Sequence, residues 1–174
     1  IETSSDNYAS RFAGEVGRYM LSVQEEGILL LMEDGNSLFG RSVLDVGGGH
    51  AQLTRPLFSR GCRVAVAGSD LSCADRLAKL QLDVPFYEGD LKELPIPDRA
   101  FDTVVSVRLI SHMQDWHGLV EELCRIADQT VIIDYPTYAS SNLLSILAFP
   151  LKKLIEKNTR TYRSFWDREI YASF

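Results

Sequence analysis

No apolar run in this chain reaches the roughly 18 residues that a membrane-spanning helix requires. Basic charge is in the minority. Lys and Arg number 18 against 24 Asp and Glu, a net charge of -6, which argues against a protein whose main task is to grip phosphate backbones. Cysteine is scarce and unpatterned: Cys62, Cys73 and Cys124 are an odd number with no CxxC pair. They read as buried, reduced thiols, and the expected compartment is cytoplasmic. No His/Cys/Asp/Glu spacing resembles a metal site, and there is no internal repeat or low-complexity stretch. The first ten residues, IETSSDNYAS, lack the positive flank and apolar core of an export signal. The chain opens on Ile1 and stops at Phe174 inside an apparent helix, so it reads as a piece of a longer protein.

What is present is a full core. The 174 residues are 45% hydrophobic and 10% aromatic, enough for one domain of ordinary size. Helical spacing of Phe12, Val16, Met20, Val23, Leu29 and Leu30 predicts a helix over 11–32, stopped by Asp34-Gly35-Asn36. Strands are expected over 42–46, 63–67, 84–87, 101–107 and 130–134, with helices over 52–59, 73–80 and 116–126 between them. Gly61 is the stop for the first of those three helices, and Asp115 the cap for the last. Strands alternating with helices imply βαβ units and hence a doubly wound α/β fold with a mostly parallel, five-stranded sheet. The tail differs. An apolar run over 143–155 is interrupted by Pro150, residues 152–174 carry six Lys/Arg against three Asp/Glu, and Ser164 with Asp167 has the spacing of a capping box opening a last helix.

The most informative stretch is Val43-Leu44-Asp45-Val46-Gly47-Gly48-Gly49-His50-Ala51-Gln52. It follows an expected strand and opens an expected helix, the setting in which glycines let a ligand lie against the backbone. A dinucleotide prefers G-x-G-x-x-G, but Gln52 stands where the third glycine belongs. Asp45 lies two residues before the first glycine. A carboxylate there repels a pyrophosphate and suits a ligand bearing ammonium and sulfonium groups, which favours S-adenosylmethionine over NAD.

Asp45-Val46-Gly47-Gly48-Gly49 resembles the D/E-x-G-x-G motif of class I S-adenosylmethionine-dependent methyltransferases, in the type 11/12-like small-molecule group. Ala67 to Ser72 resembles the end of that family's second strand. Glu88-Gly89-Asp90-Leu91 resembles the segment after its third, and Phe101 to Ser106 its fourth-strand signature. The resemblance implies a Rossmann-like sheet of order 3-2-1-4-5. Nothing after Asp134 reads as the family's C-terminal antiparallel hairpin, so a five-stranded sheet with the fifth strand as an exposed edge is expected. Ala51 departs from a common family glycine. Three parts are expected within one domain: an N-terminal helical cap (1–40), a cofactor-binding core (41–136) and a C-terminal helical segment (137–174).

By this resemblance Asp45 anchors the methionine ammonium, and Gly47, Gly48 and Gly49 present backbone to the ligand. Asp70 accepts both ribose hydroxyls, with Leu71 beside it. Asp90 takes the adenine amino group between Gly89 and Leu91, and Val107 and Arg108 open the segment to His112 that lines the methionine end. Each has a plainer alternative: Asp70 as a turn former capping the next helix, Gly89-Asp90 as turn chemistry. No catalytic base is assigned. His112 is the candidate, and simple packing over the cofactor is the preferred role. Tyr8, just before the first helix, and Arg11 and Phe12, at its start, could fold over the cofactor, and residues 143–151 could form a lid; ordinary packing competes in both cases.

The expected activity is methyl transfer from S-adenosylmethionine to an unidentified small-molecule acceptor (EC 2.1.1.-), leaving S-adenosylhomocysteine. An NAD(P)-dependent oxidoreductase and a non-catalytic S-adenosylmethionine-binding module are the alternatives. Nucleic acid and membrane are not expected partners, and the sequence does not set the oligomeric state.

Overall fold

The computed structural model describes residues 14–35, 37–48, 51–79, 81–139 and 163–174. Tyr8, Arg11, Phe12, Gly49, His50 and the apolar run 143–155 therefore lie outside the described residues. Five parallel strands form one sheet in the order β3-β2-β1-β4-β5: β1 (Ser42–Val46), β2 (Arg63–Gly68), β3 (Phe86–Glu88), β4 (Phe101–Ser106) and β5 (Ala127–Ile133). The expected order and parallel sense are both realised.

Alternation along each strand sends side chains to two different cores. Val43, Val64, Val105 and Ile132 face α1 (Glu15–Glu33) and α2 (Thr54–Ser59), while Val66 meets Leu77 of α3 (Ser72–Lys79). Leu44, Val46, Ala65, Ala67 and Val104 face the other way, against Trp116, Leu119, Val120 and Leu123 of α4 (Trp116–Ile126). Helices on both faces place the carboxyl ends of β1, β2 and β4 along one open edge. That edge is where sheets of this kind bind ligands.

Most expected elements appear within two residues of their expected bounds, and the differences have physical reasons. The third strand starts at Phe86 rather than Val84, because Pro85 has no N–H to offer a ladder; its carbonyl still accepts from Val66 N–H (2.9 Å). The fifth starts at Ala127, directly after α4, through Asp128 and Gln129, whose polarity hides a strand. Those two side chains and Thr130 are exposed, and among the described residues no strand pairs with the outer side of β5. Only the last turns of α1 lie on the sheet: Ile28, Leu29 and Met32 are buried, but Val16, Met20, Val23 and Leu30, expected on the apolar face, are exposed. Cys62 and Cys73 are buried as expected, whereas Cys124 is exposed on α4.

The final segment returns to the sheet. Phe165 is fully buried against Trp116 (ring centroids 5.2 Å), and an isolated parallel bridge joins it to Thr137. The last helix, α5 (Asp167–Tyr171), begins later than the Ser164 cap predicts. Ser164 is buried, and Glu169 supplies the cap by accepting from Trp166 N–H (2.8 Å).

Candidate functional site

Asp45 stands at the end of β1 with only 2% of its surface exposed. Val43 and Asp45 share a face, so the carboxylate points toward α2, where Thr54 Oγ1 donates to its Oδ2 (2.7 Å). Burial pushes the carboxyl up from 3.8 to about 6; the Thr54 bonds and the Arg108 charge pull it back only in part. A carboxylate kept buried at that cost beside a glycine turn makes the place a candidate site.

The turn is built around that side chain. A Cβ on Gly48 would stand 2.3 Å from Asp45 Oδ2, so nothing larger fits while Thr54 holds the carboxylate in place. Gly47 has φ +81°, and a Cβ there would meet Leu109 at 3.2 Å. The turn closes through Ala51 N–H to Gly48 C=O (2.7 Å), with Ala51 itself at φ +54°. The common family glycine at this place thus has a reason, and alanine occupies it at a cost of about 1–2 kcal/mol.

Two further carboxylates stand along the same edge, and both are open. Asp70 follows β2 and is exposed, with Oδ1 accepting from Ser72 N–H (2.8 Å) at the start of α3. The Ser72 bonds hold its carboxyl below the usual range. The turn-forming role and an outward-facing carboxylate therefore coexist in one residue. Leu71 beside it is 58% exposed. Asp90 repeats the arrangement after β3, accepting from Lys92 N–H (3.0 Å), while Gly89 N–H continues the ladder to Gly68 C=O (3.1 Å). The Leu91 side chain is buried in the α4 core, so only its backbone is left to face a ligand. Asp115 caps α4 as expected, accepting from Gly118 N–H (3.2 Å).

At the end of β4, Ser106 is buried with its hydroxyl unpartnered among the described residues, and Val107 is half-buried. Arg108 takes a left-handed backbone (φ +57°) because its N–H is captured by Asp134 Oδ1, just past β5. His112 ends a short 3-10 turn (Ile110–His112), half-buried, with its N–H donated to Leu109 C=O (2.9 Å).

Three participants were not singled out from sequence, Thr54, Gln24 and Asp134; Gln52 was, for standing at the third-glycine position. Gln24 Nε2 donates to Asp134 Oδ2, and Gln52 Nε2 donates to Gln24 Oε1 and Leu21 C=O (both 3.2 Å). Burial raises the Asp134 carboxyl, against the bond and charge of Arg108 and the Gln24 amide. A polar residue ending an apolar strand at the carboxyl edge was the available signal for Asp134; Thr54 and Gln24 lie on helices with nothing local to mark them. Among the described residues, no group of three or more His, Cys, Asp or Glu is placed to hold a metal ion, and no helix is long and apolar enough to cross a membrane.

The methyltransferase-domain family matches residues 44–132, half of the chain, including the carboxyl ends of β1 to β4. Norajmaline N-methyltransferase of Rauvolfia serpentina is 30% identical over 110 residues, covering 59% of this chain and 38% of that protein. Malonyl-[acyl-carrier protein] O-methyltransferase of Serratia marcescens is 27% identical over 137 residues, 78% of this chain and 54% of that one. The chain thus spans roughly two fifths to half of these relatives. The magnesium protoporphyrin IX methyltransferase of Synechocystis PCC 6803, solved with bound S-adenosylhomocysteine, shares the fold at TM-score 0.72 and 18% identity, over 98% of this chain and 83% of its own. By its family match, its sheet order and its glycine turn, the chain belongs to the class I S-adenosylmethionine-dependent methyltransferase family.

Proposed function

We propose that the carboxyl edge of the sheet binds S-adenosylmethionine and that the whole protein transfers its methyl group to a small-molecule acceptor, leaving S-adenosylhomocysteine. The observation that carries this is the line of carboxylates at the ends of β1, β2 and β3: one buried beneath the glycine turn, two exposed and pinned by their own loops. A pyrophosphate would face negative charge along that line. An aminoacyl sulfonium nucleoside meets acceptors for its ammonium, its ribose and its adenine amino group.

In this proposal Asp45 supplies the negative potential for the ammonium, and Gly47, Gly48 and Gly49 let the ligand approach the backbone. Asp70 accepts the ribose hydroxyls beside Leu71. Gly89, Asp90 and the Leu91 backbone take the adenine, and Val107 and Arg108 line the methionine end. The bound cofactor supplies a methyl already activated by a positive sulfur. The chain's residues therefore have to hold and align rather than activate, and alignment alone can contribute roughly 7–11 kcal/mol. No general base is needed in the scheme, and none is assigned; His112 packs at the mouth of the crevice. The parts follow the same division: a helical cap over 1–40, the binding core over 41–136 and a helical segment over 137–174, in a protein of the cytoplasm with reduced cysteines.

The relatives are named for acceptors as different as norajmaline, methylated on nitrogen, and malonyl-[acyl-carrier protein], methylated on oxygen, so they do not narrow the proposed acceptor to one compound. An NAD(P)-dependent oxidoreductase is disfavoured by a specific contact, since the Gln52 amide at the third-glycine position is committed to α1. Incubation with methyl-labelled S-adenosylmethionine and a panel of amines, phenols and carboxylates tests the activity. Label moving to an acceptor with release of S-adenosylhomocysteine is the expected result. Tight cofactor binding by the full-length protein with no transfer to any acceptor would favour the binding-module alternative.

A further inference from the structure

Gln24 is the one α1 side chain that reaches both walls of the crevice in the described residues. Through Nε2 it donates to Asp134 Oδ2 at the end of β5, and through Oε1 it accepts from Gln52 Nε2 behind the glycine turn. Asp134 in turn fixes the backbone of Arg108 with its other oxygen and donates its own N–H to Ser106 C=O (3.4 Å). Gln52 also ties back to Leu21 C=O, and among the described residues its Oε1 is buried without a partner, so the junction has an acceptor to spare. A chain of side-chain bonds therefore runs from the residue behind the glycine turn, through α1, to the residue that sets the left-handed turn at Arg108.

Among the described residues the rest of α1 has little to hold it. Its buried side chains are confined to Ile28, Leu29 and Met32 in the last turns, while Val16, Tyr19, Met20 and Val23 are exposed. The polar junction is thus the main described attachment of the middle of the helix. A helix held by few buried contacts opens more readily than the core. A ligand that orders the glycine turn and Arg108 must then favour the docked helix, and by linkage the docked helix must favour the ligand.

We propose that Gln24 and Asp134 are positioning residues that couple occupancy of the crevice to docking of α1, so that cofactor binding and closure of the N-terminal helix are one linked event. This rests on the cofactor assignment above. Neither residue need touch the ligand; they act through Arg108 and the Gln52 end of the turn.

Hydrogen exchange on the unaltered chain, with and without saturating S-adenosylhomocysteine, tests the coupling without any substitution. Amides of residues 21–29 should exchange at least about fivefold more slowly with ligand present. Calorimetric titration of Gln24→Met should then show affinity for S-adenosylhomocysteine reduced about tenfold or more, the scale of one lost hydrogen bond to a charged group. Ligand-dependent protection of 21–29 should vanish in the same variant. Asp134→Asn, which keeps the volume at the end of β5, should weaken binding in the same direction. Equal exchange of 21–29 with and without ligand, or Gln24→Met binding within twofold of the unaltered chain, overturns the coupling. Failure of the unaltered chain to bind S-adenosylhomocysteine at all overturns instead the cofactor assignment on which it rests.

Discussion

Asp45 and Asp70 end neighbouring parallel strands, yet the fold treats them oppositely. Asp45 is buried under a glycine turn with its carboxyl pushed up to about 6; Asp70 lies in the open with its carboxyl held low by Ser72. The first is a charge the fold must keep at a cost, positioned by packing from two elements. The second is positioned by its own loop and costs little. The proposed function accounts for keeping the expensive one: a negative group in a low-dielectric setting acts on a cationic ligand far more strongly than one screened by water.

The contrast breaks most sharply at Gly48. Gly48→Ala drives a methyl into the Asp45 carboxylate, so a loss of about 3 kcal/mol in urea unfolding, the upper end for overpacking, is expected together with loss of S-adenosylhomocysteine binding. An equal substitution cost at Gly27, exposed on α1 with nothing within 4 Å of an added Cβ, would remove the distinction.

Asp45→Asn comes next, and its effect has a sign that depends on pH. Because the folded carboxyl is raised from 3.8 to about 6, the stability it contributes is complete below 3.8 and lost as pH rises through 6, about 3 kcal/mol in all. The neutral amide has no such slope. Relative to the unaltered chain, Asp45→Asn should therefore gain stability between pH 4 and pH 7 while losing cofactor affinity; chemical denaturation at the two pH values measures it. A difference that stays flat with pH would mean that the carboxylate is not desolvated.

Asp70→Asn should do the reverse. Asparagine also caps, so the melting temperature should hardly move, while affinity for S-adenosylhomocysteine falls roughly thirtyfold, the scale of hydrogen bonds to a charged group. The smallest effect is expected at a carboxylate with no ligand role. Asp115→Ala removes the α4 cap and should cost about 1 kcal/mol of stability with affinity unchanged.

Much of this architecture is written locally. β1, β4 and α4 were legible because alternation, helical spacing and a cap residue each point one way, and the glycine turn because its residues are consecutive. What escaped lies across the chain. Thr54 reaches Asp45 from the next helix, and Gln24 meets Asp134 over 110 positions of sequence. No periodicity encodes such meetings. The true start of β5 was hidden for a different reason: Asp128 and Gln129 lie on an exposed edge, where burial makes no demand. The exposure of Val16, Met20 and Val23 likewise follows from where α1 ends up, not from its own spacing.

The direct trial of the carboxylate-lined edge is calorimetric titration of the chain near pH 7.5 with S-adenosylhomocysteine and, separately, with NADH. Saturable one-to-one heat with the sulfur nucleoside, weakened by Asp70→Asn, and none with the dinucleotide is the predicted outcome. NADH binding that S-adenosylhomocysteine cannot displace would contradict it.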